Sequence, residues 1–155
     1  MALPSLTVDL SGVVEDATML GFVRVYLCRH AKAAPGEPDE GRELTAKGRR
    51  QAEELGERLA ALPEPPAIVV SSPLVRARQT AEAIAAATGA PLEIDGRLAP
   101  GATIHHLREV VAERPGPVAT VGHQPDCSEI ALAATGRDPG FSPGAMAQLD
   151  VEPAP

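Results

Sequence analysis

Three short apolar runs, each followed by a stretch with helical periodicity, restrict the fold more than any other feature of this sequence. The runs are VRVYLC at 23–28, AIVVS at 67–71 and PVATVG at 117–122. Short runs rich in β-branched residues are typical of strands, and continuous apolar runs are typical of strands that are buried on both faces. Strands that alternate with helices predict an α/β protein with a mainly parallel sheet.

The segments between these runs predict the helices and two further strands. Thr45 is expected to cap an amphipathic helix that runs to about Leu62. Ser72 is expected to cap a second helix, with Pro73 at its first position and Gly89 at its end. The remaining predicted elements are a strand at 91–94, helices at 103–114 and 125–135, and an edge strand at 145–151. The predicted fold class is a three-layer α/β/α sandwich.

A chain of 155 residues is long enough for one domain with a core of its own, and we assign that domain to residues 23–151. Residues 1–22 do not follow the strand–helix alternation and are treated as an N-terminal extension. Within the extension, LTVDL at 6–10 resembles a strand and VVEDATML at 13–20 a weak helical turn. The proline-rich tail, 152–155, is expected to be disordered.

Charge and composition exclude several classes of protein. The net charge of −7 argues against a nucleic-acid-binding protein, which would need clustered lysine and arginine. The chain has neither an apolar run long enough to span a bilayer nor a secretory leader pattern. Its two cysteines, Cys28 and Cys127, lie too far apart in sequence to suggest a zinc ribbon. We therefore expect a soluble cytoplasmic protein with free thiols and no membrane partner.

Cationic and imidazole side chains follow each of the three best strands. The first strand is followed by Arg29 and His30, the second leads to Arg76 one turn into the next helix, and the third is followed by His123. Ligands of parallel α/β sheets bind beyond the carboxyl ends of the strands, so these four side chains are expected to converge there.

This combination of residue types suits a phosphoryl group. Guanidinium groups match the oxygens of a phosphoryl group, and a neutral imidazole can attack its phosphorus without a separate base. A metal site is not expected, because no third ligand accompanies His30 and His123 and the flanking arginines repel cations. His105 and His106 are neighbours on a helix and do not share a face, so they do not suggest a metal pair either. No cofactor is predicted.

Four segments carry a resemblance to a known family. They are RHA at 29–31, GRELTAKGRRQAEELGERL at 41–59, VVSSPLVRARQTAEAIA at 69–85 and VGHQPDCSEIA at 121–131. Together and in this order they resemble the histidine phosphatase superfamily, which has the phosphoglycerate mutase-like fold, and in particular its small SixA-type phosphohistidine phosphatases.

The resemblance implies a role for each of the four converging residues. His30 would be the nucleophile that becomes phosphorylated, while Arg29 and Arg76 would bind the phosphoryl oxygens. His123 would contact the same group and support the transition state. These four residues are therefore predicted to be catalytic, and Arg29, Arg76 and His123 also to bind the substrate.

The sequence departs from the family pattern at two points. Ala31 stands where the family usually has glycine, which would matter only if this position needed a positive φ. Members that act on alcohol esters carry an acid that protonates the leaving group, and no carboxylate falls clearly at that position here. Glu93, Asp95 and Asp126 are the candidate acids.

The missing acid favours phosphohistidine on a protein as the substrate, because an imidazole leaves more easily than an alkoxide. The expected function is thus a metal-independent phosphatase of the SixA type. Two alternatives are a phosphatase for a small phosphate ester and a phosphohistidine-binding module without turnover. The sequence gives no indication of the oligomeric state.

Overall fold

The structure is a computed structural model that describes residues 6–8, 14–16 and 21–155. Its strands are β1 (Leu6–Val8), β2 (Val14–Asp16), β3 (Val23–Arg29), β4 (Ile68–Ser71), β5 (Leu92–Ile94), β6 (Val118–Gly122) and β7 (Met146–Val151). Its helices are α1 (Ala46–Ala60), α2 (Val75–Thr88), α3 (Ile104–Ala112) and α4 (Asp126–Thr135). Within the described residues, no helix is both long and apolar enough to cross a bilayer.

Five strands form the central sheet, in the order β5, β4, β6, β3 and β7. The first four run parallel to one another, and β7 pairs antiparallel with β3 at one edge. The predictions of a mainly parallel sheet and of a terminal edge strand are therefore confirmed. Ser71 and Cys28 both align with Val121, so the strands that carry the candidate residues end side by side.

Helices cover both faces of the sheet and complete the predicted three-layer sandwich. On one face, Leu55 of α1 and Ile84 of α2 pack with Val69 of the sheet. On the other face, Leu107 of α3 and Ile130 of α4 belong to a second core cluster. Each fully buried side chain of this size contributes roughly 1.5–3 kcal/mol relative to an exposed one. With a single tyrosine and no tryptophan in the chain, aliphatic side chains supply most of the core.

The small residues of α1 allow it to lie very close to α2. A Cβ added at Gly56 would come within 2.8 Å of the Ala83 carbonyl oxygen and 2.9 Å of the Ala87 Cβ. Contacts this short do not occur in packed proteins, so the distance between the two helices depends on the absence of a side chain at Gly56.

Two of the three predicted capping residues, Thr45 and Gly89, are confirmed. The Thr45 hydroxyl accepts a hydrogen bond from the Gly48 amide, and Gly89 ends α2 with a left-handed φ of 75°. The prediction that Ser72 caps α2 is wrong, because Leu74 occupies the N-cap. The Ser72 amide donates to the Val121 carbonyl at 3.0 Å, which keeps this residue in the sheet and delays the start of the helix.

The two ends of the chain differ in part from expectation. In the N-terminal extension, β1 agrees with the described part of the expected strand, whereas β2 lies within the expected helical turn and pairs antiparallel with β1. The rest of both predicted segments, at 9–10, 13 and 17–20, lies outside the described residues. The tail, 152–155, was expected to be disordered but is hydrogen-bonded to α3. The Arg108 Nε donates to the Glu152 carbonyl at 2.8 Å, and the Ala154 amide donates to the Arg108 carbonyl at 3.0 Å.

Candidate active site

His30 and His123 meet where β3 and β6 end. The two strands are neighbours in parallel register, and the His30 amide extends the ladder by donating to the Gly122 carbonyl at 3.0 Å. The two imidazole rings lie 5.3 Å apart between centroids and are tilted by 56°. The structure therefore brings these two predicted residues together, for the topological reason that the sequence suggested.

A backbone carbonyl fixes the tautomer of His30. Its Nδ1 lies 2.7 Å from the Ala31 carbonyl oxygen, which can only accept a hydrogen bond. Nδ1 therefore carries the proton, and Nε2 has a free lone pair. The pKa of His30 is lowered to about 4, chiefly by burial, and the guanidinium groups of Arg76 and Arg29 act in the same direction. At neutral pH His30 is thus an uncharged imidazole with one nitrogen available for attack.

His123 is nearly inaccessible and is held by Ser72. Its Nε2 lies 2.7 Å from the Ser72 Oγ, which also accepts from the Leu74 amide. Since that hydroxyl can give its own proton to Nε2, the Nδ1 of His123 can carry a proton and point it elsewhere. Burial is the main reason that the pKa of His123 is lowered to about 4, with the charge of His30 as the next cause. Ser72, expected to be a helix cap, instead orients an imidazole.

Arg29 and Arg76 lie near the two histidines, and each has an N–H group without a hydrogen-bond partner in the described part of the chain. The Nη1 of Arg29 donates to the Phe141 carbonyl at 2.8 Å. Among the described residues, the Nε atoms of both arginines and the Nδ1 of His123 are buried without a hydrogen-bond partner. Buried N–H groups are rarely left unpaired in native proteins. Arg29 and Arg76 both act electrostatically on His30, and His123 lies near it, so the donors of these residues suit a compact anion with several oxygens.

The loop before β7 braces the end of β3, a contribution that sequence reasoning missed. The Arg29 amide donates to the Ala145 carbonyl at 3.0 Å, and the Gly144 amide donates to the His30 carbonyl at 3.1 Å. The Arg58 Nη2 in turn donates to the Gly144 carbonyl at 3.0 Å. These bonds are made by backbone atoms of a loop without regular periodicity, so the sequence contained no signal for them.

Asp39 was also missed and contacts Arg76 directly. It begins a short 3₁₀ turn, Asp39–Gly41, and its carbonyl oxygen accepts from the Arg76 Nη1 at 2.8 Å. Its carboxylate accepts from the Arg76 Nη2 at 3.2 Å and from the Arg42 Nη1 at 3.0 Å. The pKa of Asp39 is lowered by hydrogen bonds from Arg42 and Arg76. Asp39 lies in an irregular loop, where neither spacing nor composition singles it out.

Ala31 fits its position without strain. In the described part of the chain no residue other than glycine has a positive φ, so a glycine is not needed here. Ala31 is fully buried and packs with Leu44 and Ala52, while its amide donates to the Thr80 hydroxyl at 3.0 Å. The departure from the family glycine therefore leaves the backbone next to His30 unstrained.

All three candidate acids are engaged in other contacts. Glu93 pairs with Arg114 at 2.9 Å on the surface. Asp95 pairs with Arg97 at 2.7 Å, and hydrogen bonding to Arg97 is the main reason that its pKa falls to about 2. An acid with so low a pKa is a poor proton donor at neutral pH.

The third candidate, Asp126, is buried in the first turn of α4. Its Oδ2 accepts from the amides of Gly101 and Ala102 at 2.8 and 3.2 Å. This carboxylate thus anchors the loop that precedes α3. Together the three side chains have structural partners that account for their presence.

His106, one of the two adjacent histidines of α3, has a structural role. Its Nδ1 accepts from the Thr103 amide at 3.0 Å and completes a capping box at the start of α3. Among the residues whose side chains are described, no group of three or more His, Cys, Asp or Glu is arranged to hold a metal ion.

Comparison with known proteins gives consistent matches. Residues 25–116 match the family model of the histidine phosphatase superfamily (branch 1). An uncharacterized protein of Picosynechococcus sp. is 37% identical over 119 residues, which cover 72% of each chain. The protein assigned as phosphoglycerate mutase GpmB in Citrobacter koseri is 41% identical over 84 residues, which cover 50% of this chain but only 37% of the mutase.

Among solved structures, the protein assigned as phosphohistidine phosphatase SixA in Agrobacterium tumefaciens is similar over most of its length. It superposes with a TM-score of 0.72 at 32% sequence identity. The match covers 83% of this chain and 91% of that one.

Proposed function

Because the chain belongs to the histidine phosphatase superfamily, we propose that it is a phosphatase that acts through a phosphorylated His30 and takes phosphohistidine on a protein as its substrate. The observation that supports the catalytic part of this proposal is the tautomer and protonation state of His30. Its Nδ1 is committed to the Ala31 carbonyl, and its pKa of about 4 leaves the ring neutral. Nε2 is therefore a nucleophile that needs no separate base at neutral pH.

In the proposed mechanism the phosphoryl group first moves from the substrate to His30. Nε2 attacks phosphorus while the bond from phosphorus to the leaving group breaks. The free N–H groups of Arg29, Arg76 and His123 bind the phosphoryl oxygens and stabilise the charge that spreads over them in the transition state. Water then attacks the phosphorylated His30, which releases phosphate and restores the neutral imidazole.

The choice of substrate rests on the candidate acids. An alkoxide leaving group needs a proton in the transition state, and general acids typically contribute 10²- to 10⁴-fold to such reactions. Glu93, Asp95 and Asp126 all have structural partners, and Asp95 has a pKa of about 2. A phosphohistidine carries an imidazole leaving group that can be protonated by solvent near neutral pH. The engagement of these three candidate acids in other contacts therefore supports phosphohistidine over an alkyl phosphate.

The cellular setting is part of the same proposal. Both cysteines are free thiols, which is typical of proteins in a reducing compartment, and we place this protein in the cytoplasm. The similarity to a protein assigned as a phosphoglycerate mutase favours a second candidate, a phosphatase for small phosphate esters. That candidate requires an acid from outside the three residues considered above.

Phosphate release from a phosphohistidine-bearing protein and from an alkyl phosphate, measured side by side with a chelator present, tests the proposal. We expect a preference for the phosphohistidine, and a loss of about 10³-fold or more in His30→Ala, which removes the nucleophile. The matched control is His105→Ala, an exposed histidine outside the site, which should retain full activity.

Each other result points to a different function. Preference for the alkyl phosphate would favour the small-ester phosphatase. Binding of the phosphohistidine protein without turnover, retained in His30→Ala, would favour a binding module.

A further inference from the structure

A carboxylate lies on the solvent side of the cationic site. The side chain of Asp39 is 55% exposed, whereas that of its partner Arg76 is 8% exposed. Asp39 is therefore the solvent-exposed member of this ion pair, and its partner Arg76 is close enough to act on both His30 and His123. The charge of Asp39 is also close enough to act on His123, whose pKa it raises in opposition to burial.

Asp39 remains ionised and retains capacity to accept hydrogen bonds. Its two carboxylate oxygens accept one bond each, from Arg42 and Arg76. An ionised carboxylate has about four lone-pair directions, so roughly half are still available. Arg42 and Arg76 are the charged groups in contact with it, and both favour the ionised form.

A negative charge beside a phosphoryl site is unfavourable for most phosphate esters. Like charges that face each other across an interface cost binding energy and exclude the wrong partner. A substrate with a positive charge next to its phosphoryl group would gain binding energy from this carboxylate, whereas a phosphate ester would lose it. A phosphohistidine whose ring is protonated at the nitrogen that does not carry phosphorus has this distribution of charge.

We propose that Asp39 is a specificity-determining residue that accepts a hydrogen bond from the protonated ring nitrogen of the phosphohistidine leaving group. This inference rests on the proposed function and names the group that distinguishes its substrate. Arg76 then links the two parts of the substrate, since its guanidinium serves the phosphoryl oxygens on one side and Asp39 on the other.

The proposed contact favours the protonated, reactive form of the bound substrate without proton transfer from the protein. Solvent supplies the proton to the ring before reaction, and the carboxylate stabilises the resulting cation. As Nε2 of His30 forms its bond to phosphorus, the electron pair of the old phosphorus–nitrogen bond passes to the ring. The leaving group departs as a neutral imidazole that keeps its proton. Without ring protonation the leaving group would be an imidazolate anion, which leaves far less readily.

The geometry also provides a selective variant. Arg76 is held by the Asp39 carbonyl oxygen as well as by the carboxylate. Asp39→Asn keeps the carbonyl and one side-chain oxygen, so Arg76 retains its anchor while the negative charge is lost. Glu40→Gln removes a charge from the next, exposed residue of the same turn and is the matched control.

The test compares a phosphohistidine peptide with 4-nitrophenyl phosphate, whose phenolate leaves without a proton. For Asp39→Asn we expect kcat/KM to fall about 10- to 100-fold with the peptide and to stay equal or rise with the aryl phosphate. The alkaline limb of the pH profile of kcat with the peptide should move to lower pH, because the carboxylate no longer raises the pKa of the bound ring. Glu40→Gln should behave like the unmodified protein with both substrates.

Two results would overturn this role while leaving the proposed function in place. Equal losses with both substrates, together with weaker inhibition by inorganic phosphate, would mean that Asp39 only positions Arg76. An unchanged pH profile of kcat with the peptide in Asp39→Asn would mean that Asp39 does not contact the leaving group. Absence of turnover by the unmodified protein would contradict the proposed function, and with it the role of Asp39.

Discussion

At the scale of single residues, the site depends on which proton each imidazole carries. His30 and His123 are both neutral at physiological pH, yet their hydrogen bonds prepare them for opposite tasks. The Ala31 carbonyl leaves His30 with a free lone pair, while the Ser72 hydroxyl leaves His123 able to donate. A single residue type can thus supply both the proposed nucleophile and a hydrogen-bond donor, and the hydrogen-bond partner of each ring decides which.

A prediction at this scale concerns the titration of His30. Because burial and the neighbouring guanidinium groups oppose its charged form, its imidazole should titrate near pH 4 instead of near 6.5. Nuclear magnetic resonance of ring carbons in the protein without phosphate would measure this midpoint, with assignment from the spectrum of His30→Asn. A midpoint above pH 6 would mean that the ring is solvated and that the neutral nucleophile described above is not preformed.

Residue identities at strand ends were predictable, whereas their partners were not. Arg29, His30 and His123 follow apolar runs, and the rule that parallel strands end at one edge was enough to place them together. Asp39 and the loop at 141–145 reach the site from irregular segments. Their contacts are made by backbone atoms and by residues far apart in sequence. Neither kind of contact produces a periodic pattern that could be recognised in a sequence.

At the scale of elements, the chain is organised by close helix packing and by strand register. The strand and helix order could be read from the sequence because alternating apolar runs and amphipathic stretches correspond to buried strands and covering helices. The start of α2 could not be predicted from the sequence. Ser72 and Pro73 form a typical capping pattern, but Ser72 is hydrogen-bonded to the sheet instead. Ser72 remains bonded to Val121, and that long-range hydrogen bond outweighs the local preference.

A prediction at this scale is that Gly56→Ala destabilises the protein even though alanine is the better helix former. Alanine would gain roughly 1 kcal/mol in helix propensity, whereas overpacking typically costs 1–3 kcal/mol and here involves the Ala83 backbone. We expect a net loss of up to about 2 kcal/mol, and thus a melting temperature lower by up to about 8 °C. Thermal unfolding followed by circular dichroism measures it.

Gly96→Ala is the matched control for this substitution. A Cβ at Gly96 would meet no atom within 4 Å, so its melting temperature should change little. Equal behaviour of the two variants would show that α1 and α2 can separate without cost, contrary to the packing described here.

At the scale of the whole molecule, stability and the chemistry of the site are linked through pH. The imidazoles of His30 and His123 have pKa values of about 4 in the fold and near 6.5 in the unfolded chain. As the pH falls from 6.5 towards 4, the unfolded chain therefore takes up protons that the folded protein does not. Unfolding becomes more favourable over this interval, so stability should be greatest above pH 6.5.

This linkage predicts a fall in melting temperature between pH 6.5 and 4 that becomes shallower in His30→Asn, which lacks one of the two groups. A further fall below pH 4 should remain in the variant, because Asp95 loses its ion pair with Arg97 only when it is protonated. Melting curves at half-unit steps of pH for both proteins would measure the difference. Parallel curves would mean that His30 does not contribute to the linkage.

The brace formed by the loop before β7 also has a consequence for the order in which the protein becomes functional. His30, Arg76 and His123 are all synthesised before the carbonyl of Phe141 and the amide of Gly144 that hold the end of β3. A nascent chain can therefore contain every proposed catalytic residue and still lack the support that fixes two of them. We therefore expect activity to arise only after β7 has left the ribosome and paired with β3. Until then the growing polypeptide should not react with phosphorylated proteins around it.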